Sequence, residues 1–302
     1  MKLPRLVPRP WLREKGNGAR GKSAVARGRL YLAGALVLLV SFLAGFYLFF
    51  PLSVLKSRIE QEAIARAHTE VHIGDLALLF PPGLAGQRIT LATGNPVVPA
   101  VQVSSLALTP LWHTLVTGNP GVDVHADLMG GSLRGELRRN GSVEARLAGI
   151  TFSEPVAAGS ALKVAGTVKD GIFSGAVPLR ATTTSRLDLT LEQLRLTGLE
   201  SLGVAGGTLS LGTVTLQGTG LGNSFRVTKL ASTGGNLTVS GSGTLLLADQ
   251  PARSRINLSL VMRPAPNLDK KVKDMLDLFL KPGRDGAYRF QVAGSLLRPV
   301  LR

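Results

Sequence analysis

The octapeptide RINLSLVM, Arg255–Met262, places Ile256, Leu258, Leu260 and Met262 at every second position, with Asn257 and Ser259 between them. Side chains on an extended chain point alternately to opposite faces, so this period of two describes a strand with one apolar and one wetted face. Outward along the chain the same alternation holds at Val122, Val124, Ala126 and Leu128, and at Leu187, Leu189 and Leu191. It returns at Leu237 and Val239, and at Tyr288, Phe290 and Val292. Pairs such as NG, GN, GG and DG separate the runs and mark turns. With 36 glycines and only 5% aromatic residues, the composition suits many short strands better than a helical bundle. The expected fold is mainly β: a large, curved antiparallel sheet with one apolar face, one or two accessory helices, and a single N-terminal transmembrane helix.

Two places break the alternation. Leu209 and Leu211 are odd-numbered, whereas Val214 and Leu216 are even; a turn or bulge at Gly212-Thr213 would keep the apolar face on one side. At Asn140-Gly141 a two-residue loop would pair Leu137 with Glu144 and set the flanking apolar residues on opposite faces. A three-residue loop would pair Leu137 with Ala145 and match them, so an odd loop or a nearby bulge is expected. The pattern G-x-L-x recurs in GGSLRGEL, GGTLSLGTVTL and GNLTVSGSGTLLL, too irregularly for a solenoid.

Helical spacing shows twice outside the sheet. Leu52, Leu55, Ile59 and Ala63 predict a helix over about Ser53–Ala67 that links the N-terminal segment to the sheet. In NLDKKVKDMLDLFLKPG, Leu268, Val272, Met275, Leu276 and Phe279 form one stripe, with Asn267 the expected N-cap and Pro282-Gly283 the stop. This second helix is expected to cover an end or a face of the sheet.

Leu30 to Phe50 contains no charged residue. At 1.5 Å per residue such a helix covers roughly 30 Å, the hydrocarbon thickness of a bilayer. The anchor positions are Leu30, Val37, Leu43, Phe46, Phe49 and Phe50. No A-x-A site follows, so a retained span is expected rather than a cleaved leader. Residues 1–29 carry nine Lys and Arg, ending in Arg20, Lys22, Arg27 and Arg29, against Glu14 alone. The basic flank stays on the cytoplasmic side, which sends the rest of the chain across the membrane, into the periplasm of a Gram-negative cell. The expected segments are a tail at 1–29, a span at 30–50, a juxtamembrane helix and linker at 51–72, and a β-rich periplasmic domain at 73–302.

The net charge of +16 does not read as a nucleic-acid footprint, because the cations are dispersed and stacking aromatics are scarce. There is no cysteine, which removes disulfides, thiolate nucleophiles and thiolate metal sites. HTEVH places His68 and His72 four apart, with Glu70 between and Asp75 beyond, yet it does not meet the H-E-x-x-H pattern. His113 and His125 have no evident partners. No serine lies in a G-x-S-x-G elbow, and GTGLGNS, Gly218–Ser224, lacks the lysine of a phosphate-binding loop. No carboxylate pair stands out for acid–base work. No catalytic residue, metal site or cofactor is expected.

The run YLFFPLSVLKSRIE, Tyr47–Glu60, followed by GDLALLFPPGL, Gly74–Leu84, and the closing VAGSLLRPV, Val292–Val300, resembles the type II secretion system protein N family, GspN. The resemblance extends from about Tyr47 to the C-terminus. It implies a non-enzymatic inner-membrane accessory subunit, with the inner-membrane platform or the secretin as partners. The β-rich part is also similar to the wider AsmA-like group, which implies an anchored β-groove protein that handles lipid. Pro51, Phe80, Pro81, Pro82, Gly83 and Leu84 are the candidate junction motif, their Pro/Gly punctuation setting how anchor and sheet are joined.

Overall fold

A computed structural model describes residues 20–67, 69–93, 100–116, 118–155, 160–177, 182–202, 208–248, 253–295 and 298–301. The chain divides into two compact units, Met1–Pro51 and Leu52–Arg302. In the first, helix α1 runs Arg20–Phe49. The side chains of Arg20, Lys22, Arg27, Arg29, Leu30, Leu43 and Phe46 lie outside the described set; Val37 and Phe49 are exposed. Among the described residues no single helix is long and apolar enough to cross a membrane, although Ala33–Phe49 and Leu52–Ala65 meet that test as an interrupted pair.

The second unit begins with α2, Leu52–Ala67, and is then almost entirely one sheet. Its first strands are β1 (Thr69–Leu79), β2 (Gly83–Thr93), β3 (Val101–Pro110), β4 (Gly121–Leu128) and β5 (Gly131–Arg138). The middle is β6 (Ser142–Pro155), β7 (Lys163–Ala176), β8 (Thr184–Thr197) and β9 (Thr208–Leu221). The last strands are β10 (Ser224–Gly234), β11 (Leu237–Leu246), β12 (Arg255–Pro264), β13 (Tyr288–Ser295) and β14 (Arg298–Leu301). All 14 lie in sequence order, each antiparallel to the next, so every connection is local. A short helix α3 (Trp112–Val116) joins β3 to β4, a 3-10 turn (Leu199–Leu202) follows β8, and α4 (Lys270–Phe279) joins β12 to β13. Because β1 starts at Thr69, the expected linker over 51–72 gives its last residues to the sheet.

The registers stack the apolar residues into rows across the sheet. One row runs Leu106, Ala126, Leu133 and Leu147; another runs Phe173, Leu187 and Gly218 to Val227. Farther on, Leu260 pairs with Phe290 and Met262 with Tyr288. The opposite rows are polar, as in Asp123, Glu136 and Glu144 or Arg186, Thr219 and Arg226. The period of two therefore sorts one apolar and one wetted face across the whole sheet.

Both breaks in the alternation resolve by keeping the faces sorted. At Gly212 the strand bulges: Leu194 faces Gly212, Arg195 faces Ser210, and Leu211 is left opposite no partner. Gly212 takes φ +68°, a conformation that costs a side chain little only at glycine. At Asn140-Gly141 the loop is odd, but Leu137 pairs with Val143 instead of Ala145. Asn140 closes this turn itself, its Oδ1 accepting from Ser142 N at 2.9 Å.

Packing at the two helices differs. Ile59 of α2 packs with the cluster of Ile73, Ile89, Val103 and Ala126. Val272 of α4, at 2% exposure, packs with Leu199 and is flanked by Leu162, Leu196, Leu209, Leu268 and Leu276. The N-cap of α4 is Asp269, whose carboxylate accepts from Lys271 N at 2.7 Å, instead of the expected Asn267. Of the sheet's two edges, β14 is only four residues long and contains Pro299, which makes it a poor template for a further strand.

Candidate functional site: an apolar trough beside α2

β1 is the other edge strand, and α2 covers it with polar side chains. Lys56 Nζ donates to Gly74 O at 3.1 Å, and Ile73 N donates to Glu60 Oε1 at 3.0 Å. These bonds satisfy backbone groups that a free edge would offer to another chain. They also fix direction: α2 runs antiparallel to β1, with its first turn toward the β1–β2 hairpin.

Inward from that edge, Ile59 overhangs a cavity of about 340 Å³. Its floor comes from five strands, through residues such as Ile73, Ile89, Val103, Leu106, Ala126 and Leu133. Every lining residue is aliphatic, save Gly86. Such a space offers no partner to a water molecule and suits a hydrocarbon chain. Beyond it the apolar face continues through β6–β13, and among the described residues no second sheet lies over it. Glycines lower that floor. A Cβ on Gly218 would come 2.4 Å from the Phe225 ring, and one on Gly171 3.0 Å from Leu189. The large side chains of neighbouring strands lie over bare backbone, which gives a shallow trough.

Two wider hollows sit on the polar face, about 860 Å³ beside Arg253 and Arg255 and about 680 Å³ beside Arg186 and Arg226. Both are larger than the apolar cavity. Both are open concavities between strand ends, so the apolar cavity is the better candidate for an enclosed guest.

The histidines do not converge. His72 lies on β1, 3.9 Å from Glu60, and Asp75 pairs with Arg88; His68 is outside the described residues. His125 accepts from Arg134 Nε at 3.1 Å and lies 3.5 Å from Asp127. Among the described residues no three His, Asp or Glu side chains gather as metal ligands. Asp285 is held well below the usual carboxylate range, chiefly by its hydrogen bond to Arg289, an exposed ion pair in the α4–β13 connection.

Of the junction residues, Phe80, Pro81 and Pro82 form the β1–β2 turn, with a cis Phe80-Pro81 bond, and Gly83 and Leu84 open β2. Leu84 also lines the apolar cavity. Pro51 is the last residue of the first unit. Sequence reasoning did not find the cavity, because it depends on where α2 lies over the sheet. No family model, curated protein or solved structure matches the chain.

Proposed function

We propose that the chain is a non-enzymatic, single-pass inner-membrane subunit of the type II secretion machinery, its N-terminus cytoplasmic and its sheet periplasmic. The layout shared with the GspN family carries the name, and the charge-free stretch with its basic flank supports the topology. A binding role is supported by one observation above the others: an apolar face spanning the sheet, which α2 and α4 cover only in part and over which no second sheet lies among the described residues. In-cell crosslinking of the tagged full chain, followed by mass spectrometry, tests this reading. Recovery of platform or secretin subunits supports it. Their absence under conditions where the machinery assembles overturns it.

The fully aliphatic cavity favours a second reading, an AsmA-like groove that carries lipid between envelope membranes. Stoichiometric phospholipid in the purified protein, without secretion subunits, would favour that reading over the first. Ala126→Trp, which fills the cavity, should then abolish lipid co-purification.

A further inference from the structure

The two ends of the sheet differ in what their connections expose. The β1–β2, β5–β6 and β9–β10 turns, α3, and the described ends of the β7–β8 and β11–β12 connections all gather at one end, the hairpin end. There Phe80 is 85% exposed, Leu221 59% and Leu246 46%, and Trp112, Leu137 and Val177 are exposed as well. At the opposite end, which carries α4 and the 3-10 turn, Leu278 is the one large exposed apolar residue among the described residues of the connections.

Charge divides the same way. Among the described connecting residues, the hairpin end carries Arg139 and Arg253 and no carboxylate, while Arg138 and Arg255 sit at adjoining strand ends. The opposite end mixes its cations with Glu200, Asp269, Asp274, Asp277 and Asp285. The two wide hollows belong to the hairpin end. One joins Arg253 and Arg255 to Ser254, Asn257 and Ser295; the other joins Arg186 and Arg226 to Ser174, Thr184 and Ser224. Among the described residues neither is lined by an acidic one, though Arg186 is already paired with Asp188 at 2.7 Å. Arg226, Arg253 and Arg255 form no ion pair among the described residues. Each hollow has one exposed leucine on its lip, Leu221 or Leu246.

Apolar tips with arginines and hydroxyls set behind them match the depth profile of a bilayer surface, where hydrocarbon underlies phosphate. The first turn of α2 points toward this end, and the charge-free stretch immediately precedes α2 in the chain.

We propose that the hairpin end is a headgroup-binding rim: its apolar tips enter the bilayer interface, and the two arginine hollows take the phosphates of anionic phospholipids. This rests on the membrane-anchored reading above.

The absence of cysteine makes the test direct, because each introduced thiol is the only one to label. Full-length Leu221→Cys, Leu246→Cys, Leu278→Cys, Asn236→Cys and Val40→Cys are labelled with an environment-sensitive fluorophore. They are reconstituted into nanodiscs containing phosphatidylglycerol and doxyl-labelled lipid. Probes at 221 and 246 should be quenched and blue-shifted, and those at 278 and 236 should not. In phosphatidylcholine alone, or after Arg226→Gln with Arg255→Gln, the quenching at 221 and 246 should fall. Quenching at 40 without quenching at 221 and 246 overturns the rim and leaves the anchor standing. No quenching at 40 overturns the anchor. Equal quenching in both lipids overturns the preference for anionic headgroups, and quenching unchanged by the two arginine substitutions overturns the phosphate role.

Discussion

α2 and α4 are both laid against the apolar side of one sheet, yet they close it differently. α4 is held by contact: Val272 and Leu199 are almost fully buried, with leucines from the β6–β7 connection, β8 and β9 around them. A hydrogen bond from Tyr288 to Asp277 at 2.7 Å also ties it to β13. α2 is held by hydrogen bonds to the backbone of an edge strand, through Lys56 and Glu60, and its apolar contact at Ile59 leaves a cavity of about 340 Å³. A helix fixed by polar bonds at its rim need not fill the space beneath it. That allows the α2 side to hold a guest and makes the α4 side a seal.

The most damaging break in this contrast is Val272→Asp. An unpaired carboxylate in that cluster should cost on the order of 4 kcal/mol. Ile59→Asp, facing the cavity from a half-buried position, should cost roughly half as much. Denaturant titration of the detergent-solubilised full chain reads both, and equal losses would mean that α2 packs as tightly as α4. Next comes the trough floor between the helices. Gly218→Val drives a side chain into the Phe225 ring and the Arg226 carbonyl, and overpacking of this kind costs about 1–3 kcal/mol. Unchanged stability would show that Phe225 can leave the floor freely.

Glu60→Ala sharpens the comparison from the α2 side. It leaves the Ile73 amide without its side-chain partner, a loss of about 1–2 kcal/mol. The local signature matters more than the total. Hydrogen exchange should speed up at Ile73 and across α2 while the amides of β7–β9 stay protected. Faster exchange throughout the sheet would mean that α2 is part of one cooperative unit with it.

Much of this was legible in the sequence, for reasons that stop at a definite point. Ile256, Leu258, Leu260 and Met262 announce their face because a strand's period is two, and no tertiary contact can change that parity. The parity argument also placed a turn or bulge at Gly212-Thr213 and an odd loop or nearby bulge at Asn140-Gly141. It named Ala145 as the partner of Leu137 where Val143 stands, since parity alone does not separate two partners that preserve the face; Asn140 closes the turn that puts Val143 there. The cap of α4 failed for a related reason. Asn267 and Asp269 are both good acceptors, and Leu268 between them joins the Val272 cluster, which starts the helix after Asp269. The cavity and the hairpin rim were not legible. One depends on how α2 lies over five strands, the other on which ends of distant strands share a side.

The smallest effect belongs to the polar tie on the α4 side, and it appears only at high pH. Tyr288 is buried at 1% exposure, and burial, then the hydrogen bond and charge of Asp277, push its phenol up from 10.0 to about 12. The folded state therefore favours the neutral phenol. Its contribution is fully present below pH 10 and is lost as the pH rises through about 12. Tyr288→Phe removes the donor and leaves Asp277 without this bond, so it should be less stable than the natural protein near neutral pH. The gap should narrow steadily above pH 10. A tyrosinate absorbance titration of the folded chain, with Tyr288→Phe as the difference, should assign the late-titrating phenol to this residue. A Tyr288 that ionises with the other tyrosines would mean that the tie to Asp277 is not made in solution, leaving α4 held by its leucines and Val272 alone.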